Sequence, residues 1–129
     1  MKVLVDTNVL LSAALRDRLP ERVVLQIGTH DEWTWLITPE ILDEYVQVLQ
    51  RPKFVLAPED LQRWIDLVQA RTICVSSPPS ISFARDPKDA PFLAAAIATS
   101  ADYLITGAQS LVQTRMVTVL EFARSFEIA

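Results

Sequence analysis

Glycine is nearly missing from this chain, with only Gly28 and Gly107 among 129 residues. A phosphate-cradling P-loop and a dinucleotide-binding fingerprint both need several glycines at fixed offsets, so neither can be written here. Cysteine and histidine are scarcer still, one each, at Cys74 and His30. That excludes a disulfide framework, a zinc finger and an HExxH protease site. What remains for catalysis is carboxylates, hydroxyls and cations. Hard oxygen donors favour Mg²⁺ or Mn²⁺ over zinc or copper.

Long apolar runs are also lacking. No segment approaches the roughly 18 uninterrupted apolar residues of a membrane span. Asp6 interrupts the first apolar stretch, and Arg16, Asp17 and Arg18 follow closely, so the N-terminus does not read as a signal peptide. A cytoplasmic, reducing setting is the expectation, with Cys74 a small buried hydrophobe. Nor is there an excess of positive charge: 12 Lys and Arg face 16 Asp and Glu, a formal net charge of −4. This argues against non-specific, charge-driven binding to nucleic acid or membrane. It leaves a nuclease open, because metal ions supply positive charge locally.

What is present is core material. Half of the residues are hydrophobic, enough for one compact domain over residues 1–129 and too many for a disordered chain. Lys2 to Val5 is a short apolar run, a buried strand by pattern, and Thr7 to about Leu15 follows as a helix. Pro20 marks the opening of a second helix that stops at Gly28. Trp33 to Ile37 reads as a second strand. Thr38-Pro39 supplies a hydroxyl cap and a first-turn proline for a helix carrying Ile41, Leu42, Tyr45, Val46, Val48 and Leu49 on one side. Pro58 opens another helix, with Leu61, Trp64, Ile65 and Val68 at helical spacing.

Thr72 to Val75 is a third strand. Asp86-Pro87 starts a helix that runs through Ala90 to Thr99, and Tyr103 to Ile105 and Met116 to Val119 are further strands. Thr118 and Glu121 have capping-box spacing for a short last helix. Short, wholly apolar strands separated by helices imply a three-layer α/β/α sandwich, with a mostly parallel central sheet of four to five strands. In such sheets ligands gather beyond the carboxyl ends of the strands.

That rule selects among the acids. Asp6 directly follows the first strand, where it can cap the next helix or do chemistry. Thr7 beside it can also cap. Glu44 falls near the border of the apolar stripe of its helix, whereas Glu40, Asp43 and Gln47 lie well away from the stripe's centre. Asp86 and Asp89 bracket the start of the alanine-rich helix, where capping and the helix dipole account for both without catalysis. The same placement leaves one free to bind metal while the other caps. Thr106 and Gly107 end the fourth strand at that edge, and Thr106 has a hydroxyl to offer a ligand or a neighbouring carboxylate. Asp102, at the opposite end of that strand, reads as a solvated turn residue. His30 reads as a surface residue, the three tryptophans as packing, and Arg51 and Lys53 as a solvated helix end.

Taken together, VLVDTNVLLSA, ITPEILDEYVQVLQRPKF, RDPKDAPFLAAAIATSADYLITG and the closing VTVLEFA resemble the PIN-domain family, specifically toxin components of toxin–antitoxin systems related to the VapC type. The resemblance implies a ribonuclease acting on RNA with Mg²⁺ or Mn²⁺ and held in check by a protein antitoxin. By position it implies that Asp6, Glu44 and Asp89 bind the metal. Asp86 stands at an additional acidic position, and Asn8 and Thr106 are supporting polar residues. Clustered carboxylates repel one another, and a divalent cation relieves that repulsion while retaining waters for hydrolysis.

The chain departs from the family at one place. Similar proteins follow the strand at Tyr103 to Ile105 with TGDxDL, where this sequence reads Thr106-Gly107-Ala108-Gln109-Ser110-Leu111, so both acidic positions are replaced. Losing a carboxylate should weaken metal binding, that of a second ion above all. A second expectation is therefore a degenerate PIN fold that binds protein or RNA without cutting it. A phosphotransfer domain built on Asp6 fits less well, because Asn8 stands where a haloacid-dehalogenase-like site needs its second acid. A receiver-like site fails too, since it needs paired acids at the first strand and a lysine after a late one. The high apolar content makes a homodimer a further expectation.

Overall fold

A computed structural model describes residues 1–51, 56–76, 90–106, 115–126 and 128. The chain opens with strand β1 (Lys2–Val5), then helices α1 (Thr7–Ala14) and α2 (Arg18–Thr29), strand β2 (Thr34–Ile37), and helices α3 (Pro39–Leu49) and α4 (Pro58–Arg71). Strand β3 (Thr72–Cys74), helix α5 (Ala90–Thr99), strands β4 (Tyr103–Ile105) and β5 (Arg115–Val117) and helix α6 (Val119–Ser125) follow.

All four strand pairings among the described residues are parallel, in the order β3-β2-β1-β4-β5. Successive strand residues point to opposite faces. Val3, Leu4 and Val5 are nevertheless each fully buried, and so, nearly, are Trp35, Leu36 and Ile37. Both faces of the sheet are therefore covered, which gives the α/β layered architecture that wholly apolar strands require. α1 packs on α2 and α3, α2 on α6, and α3 on α5.

Local chemistry sets the element ends. The Thr38 hydroxyl accepts the Ile41 N–H at 3.2 Å, with Pro39 in the first turn of α3. Thr118 caps α6 in the same way, accepting from Glu121 N–H at 3.1 Å. Several boundaries differ from the sequence expectation. α2 starts two residues before Pro20, with Asp17 at the N-cap position but making no side-chain cap, because the first helical residues need no N–H donor and a proline is tolerated there; it also runs one residue past Gly28. Trp33 lies in a turn, its N–H donating to His30 C=O at 3.2 Å, so β2 begins at Thr34, whose N–H reaches Met1 C=O. β3 stops at Cys74, one residue short of Val75. β5 ends at Val117, since Thr118 is taken by the cap of α6.

The expectation of a buried Cys74 is overturned. Its side chain is exposed: Ile73 and Cys74 point to opposite faces of edge strand β3, and both are exposed, so neither face is covered at this end of the strand. The tryptophans do serve packing: Trp33, Trp35 and Trp64 are 7%, 0% and 4% exposed. Trp33, Tyr103, Phe122 and Phe126 form a ring cluster that ties α6 to the sheet, with centroid separations of 4.7–5.6 Å.

Candidate metal-binding site

The strand order decides where a site can form. β1 connects onward to β2 on one side, while β4 pairs on its other side after the chain has returned from β3. The gap between the carboxyl ends of β1 and β4 is thus a topological switch point, where open α/β sheets hold their ligands. Val5 pairs with Ile105 in register. The next residues, Asp6 and Thr106, are brought side by side at that gap.

Asp6 begins α1 through its backbone: its carbonyl accepts the N–H groups of Val9 and Leu10 at 3.0 and 3.2 Å. Its carboxylate makes no capping hydrogen bond. Capping thus does not account for this side chain. Instead Oδ2 accepts from the Thr106 hydroxyl at 3.2 Å, and the Asp6 N–H donates to Ile105 C=O at 2.9 Å. Thr106 is buried, and its own N–H is tied to Val117 C=O at 2.9 Å. A hydroxyl held this firmly fixes the direction of the carboxylate oxygen it faces.

Glu44 is half-buried on α3, while Glu40, Asp43 and Gln47 on the same helix are exposed. Its Oε2 accepts a short hydrogen bond from the hydroxyl of Thr7, a buried residue immediately after Asp6. Next to Glu44, the Tyr45 hydroxyl donates a short hydrogen bond to the Val5 carbonyl, immediately before Asp6. Burial, together with the negative charge of Asp6 and Glu44, pushes the Tyr45 phenol well above its ordinary range, so it stays protonated.

Two carboxylates and three hydroxyls therefore belong to one region at the carboxyl edge of the sheet. The residues that sequence reasoning missed are Thr7, considered there only as a cap, and Tyr45, considered there only as an apolar residue. No local signal marks either, because each acts through a partner 37 or 40 residues away. Asn8 lies in the first turn of α1 and is exposed. Asp86 and Asp89, with Ala108 and Ser110, lie outside the described residues. Among the described residues no three His, Cys, Asp or Glu side chains form a metal-holding group. Asp102 belongs to the far end of the sheet, where it accepts the Lys2 N–H at 2.8 Å.

The donor set suits a hard divalent cation, since all the groups are oxygens and the only histidine, His30, is bound up at the end of α2. A family model for the PIN domain matches residues 2–110. The chain belongs to the PIN domain family. Its fold is shared with solved PIN-type structures of low sequence identity. One is the VapBC2 structure from Rickettsia felis bound to a DNA fragment from their promoter (TM-score 0.61, 14% identity, covering 92% of this chain and 98% of that one). Another is the PIN domain of human SMG5 (TM-score 0.55, 15% identity, covering 98% and 99%). No curated protein matches this PIN domain. PIN domains are generally metal-dependent nucleases, which fits an oxygen-only site at the switch point.

Proposed function

We propose that this PIN domain is a metal-dependent endoribonuclease, the toxin of a toxin–antitoxin pair. The observation that carries the reading is the joining of Asp6 to Thr106 and of Glu44 to Thr7 at the carboxyl edge of one parallel sheet. Asp6, Glu44 and Asp89 would hold Mg²⁺ or Mn²⁺, with Asp86 as a further acidic ligand and Asn8 and Thr106 in support. When bound, such an ion lowers the pKa of a coordinated water and neutralises charge building on the phosphate. The protein's own part is orientation. Thr106 and Thr7 each commit one carboxylate oxygen and thereby aim the other.

An RNA substrate is part of the same reading, and so is a protein antitoxin, supported by the fold shared with a VapBC2 complex. A homodimer is included as well, since Ile73 and Ile97 are 56% and 46% exposed; a monomeric mass in light scattering would remove that element. No helix among the described residues is long and apolar enough to cross a membrane, which accords with a cytoplasmic setting.

The test is RNA cleavage with Mn²⁺ or Mg²⁺ by the native chain, Asp6→Asn and Ala108→Asp. We expect cleavage by the native chain, its loss in Asp6→Asn, and a gain in Ala108→Asp. Equal cleavage by the native chain and Asp6→Asn removes the site assignment. The replaced acids at Ala108 and Ser110 favour a second reading, a non-cutting PIN fold that binds protein or RNA. An intact fold without Mn²⁺ binding in calorimetry, and with a retained partner, would select it.

A further inference from the structure

Glu44 and Tyr45 are consecutive residues of α3, and they reach positions on either side of Asp6. Tyr45 donates its hydroxyl to the carbonyl of Val5, and Glu44 accepts from the hydroxyl of Thr7. One helix turn thus grips the β1–α1 junction at two points that bracket the acid between them. Tyr45 is buried between Trp35 of β2 and Phe92 of α5, each with its ring centroid 6.4 Å away. Packing therefore holds the phenol ring, and the hydroxyl has one direction to point.

We propose that Tyr45 is a positioning residue of the acidic site: with Thr7, it sets how α3 carries Glu44 relative to Asp6 before any cation arrives. The inference rests on the metal-site reading above and deepens it. Two carboxylates that share a site repel each other when no cation is bound. Glu44 sits on a flexible side chain and would swing toward solvent unless something holds it. Its hydrogen bond from Thr7 holds the carboxylate end, and the hydrogen bond from Tyr45 to Val5 holds the helix end. Because both anchors grip the backbone or side chain next to Asp6, any shift of α3 moves the two acids together. The site is then organised in advance, and a cation has less rearrangement to cause on binding.

The substitution that isolates this role is Tyr45→Phe, which keeps the ring and removes only the oxygen. Thr7→Val removes the second anchor at nearly constant shape, and Thr7→Ser restores a hydroxyl there. Mn²⁺ binding to the full chain, measured by titration calorimetry, is the readout, with thermal unfolding recorded alongside. Removal of a group that orients a ligand typically weakens metal binding by ~10-fold or more. That loss is the result expected for Tyr45→Phe and Thr7→Val, with affinity recovered in Thr7→Ser. A purely structural Tyr45 would lower the unfolding temperature and leave the Mn²⁺ affinity at the native value, and that result overturns the proposal while the metal site stands. Absence of Mn²⁺ binding by the native chain overturns both. If Tyr45→Phe does not fold, the Thr7 pair decides alone: an unchanged affinity in Thr7→Val overturns the two-point grip.

Discussion

The hydroxyl of Thr106 donates to Asp6 Oδ2 at 3.2 Å, linking residues 100 positions apart. That contact exists because β4 lies beside β1 in register, so that the first residue beyond each strand meets the other. A carboxylate in this position is directed by a neighbouring strand, and its role is not confined to starting its own helix.

Thr106→Val tests this contact. The replacement keeps the shape and the backbone bond to Val117, and removes the hydroxyl that donates to Asp6. We expect stability to fall by about 1 kcal/mol, the net contribution of one buried hydrogen bond, as read by urea denaturation. Mn²⁺ affinity should fall as well, since Asp6 loses the group that aims it. Unchanged affinity would show that Thr106 does not orient the acid.

The buried Tyr45 phenol makes stability pH-dependent at the alkaline end. Its folded-state pKa is raised above the ordinary value of 10.0, first by burial and then by the nearby carboxylates. The folded state therefore binds the proton more tightly than the unfolded one, and the contribution is fully present below about pH 10. Above that pH the unfolded chain releases its proton while the folded one keeps it. Stability should then drop by up to about 1.4 kcal/mol per pH unit from this group. Lysines titrate in the same range, so the measurement is a comparison of Tyr45→Phe with the native chain between pH 9 and 11. The native chain should lose stability more steeply, and parallel curves would contradict the assignment.

Phe122 is fully buried at the centre of the ring cluster, with centroids 5.1 Å from Trp33, 5.5 Å from Tyr103 and 4.8 Å from Phe126. Phe122→Ala should cost about 3–5 kcal/mol, as a large aromatic leaves a cavity that its neighbours fill only in part. Chemical denaturation reads that loss. A cost below about 1 kcal/mol would mean that α6 contributes little to holding the sheet.

Cys74 faces solvent from an edge strand. A thiol reagent should label it to completion in the folded protein, without denaturant and without lowering the unfolding temperature. Protection that lasts until the chain unfolds would show that this edge is covered in solution.

Much of this architecture was legible along the chain. The hydroxyl and proline at Thr38-Pro39, the Thr118–Glu121 spacing and the apolar runs at Lys2–Val5 and Tyr103–Ile105 each encode their element within a few residues. Glu44 stood out because its neighbours at 40, 43 and 47 lie further from the apolar stripe, and it is indeed the half-buried acid of that helix. The boundary of α2 at Pro20 was misplaced because a first-turn proline is compatible with several helical positions. The exposure of Cys74 was out of reach, since it depends on which strand forms the edge.

The order of helices and strands, their caps and the set of oxygen donors available were thus determined by the sequence itself, because hydrogen bonds within a turn and the periodicity of apolar residues act over short separations. The partners of those donors were decided only by tertiary structure. Thr7 meeting Glu44, Tyr45 reaching Val5 and Thr106 facing Asp6 all follow from strand order and helix packing. Chain segments far apart in sequence come together there because burying both faces of the sheet leaves them few other places to go.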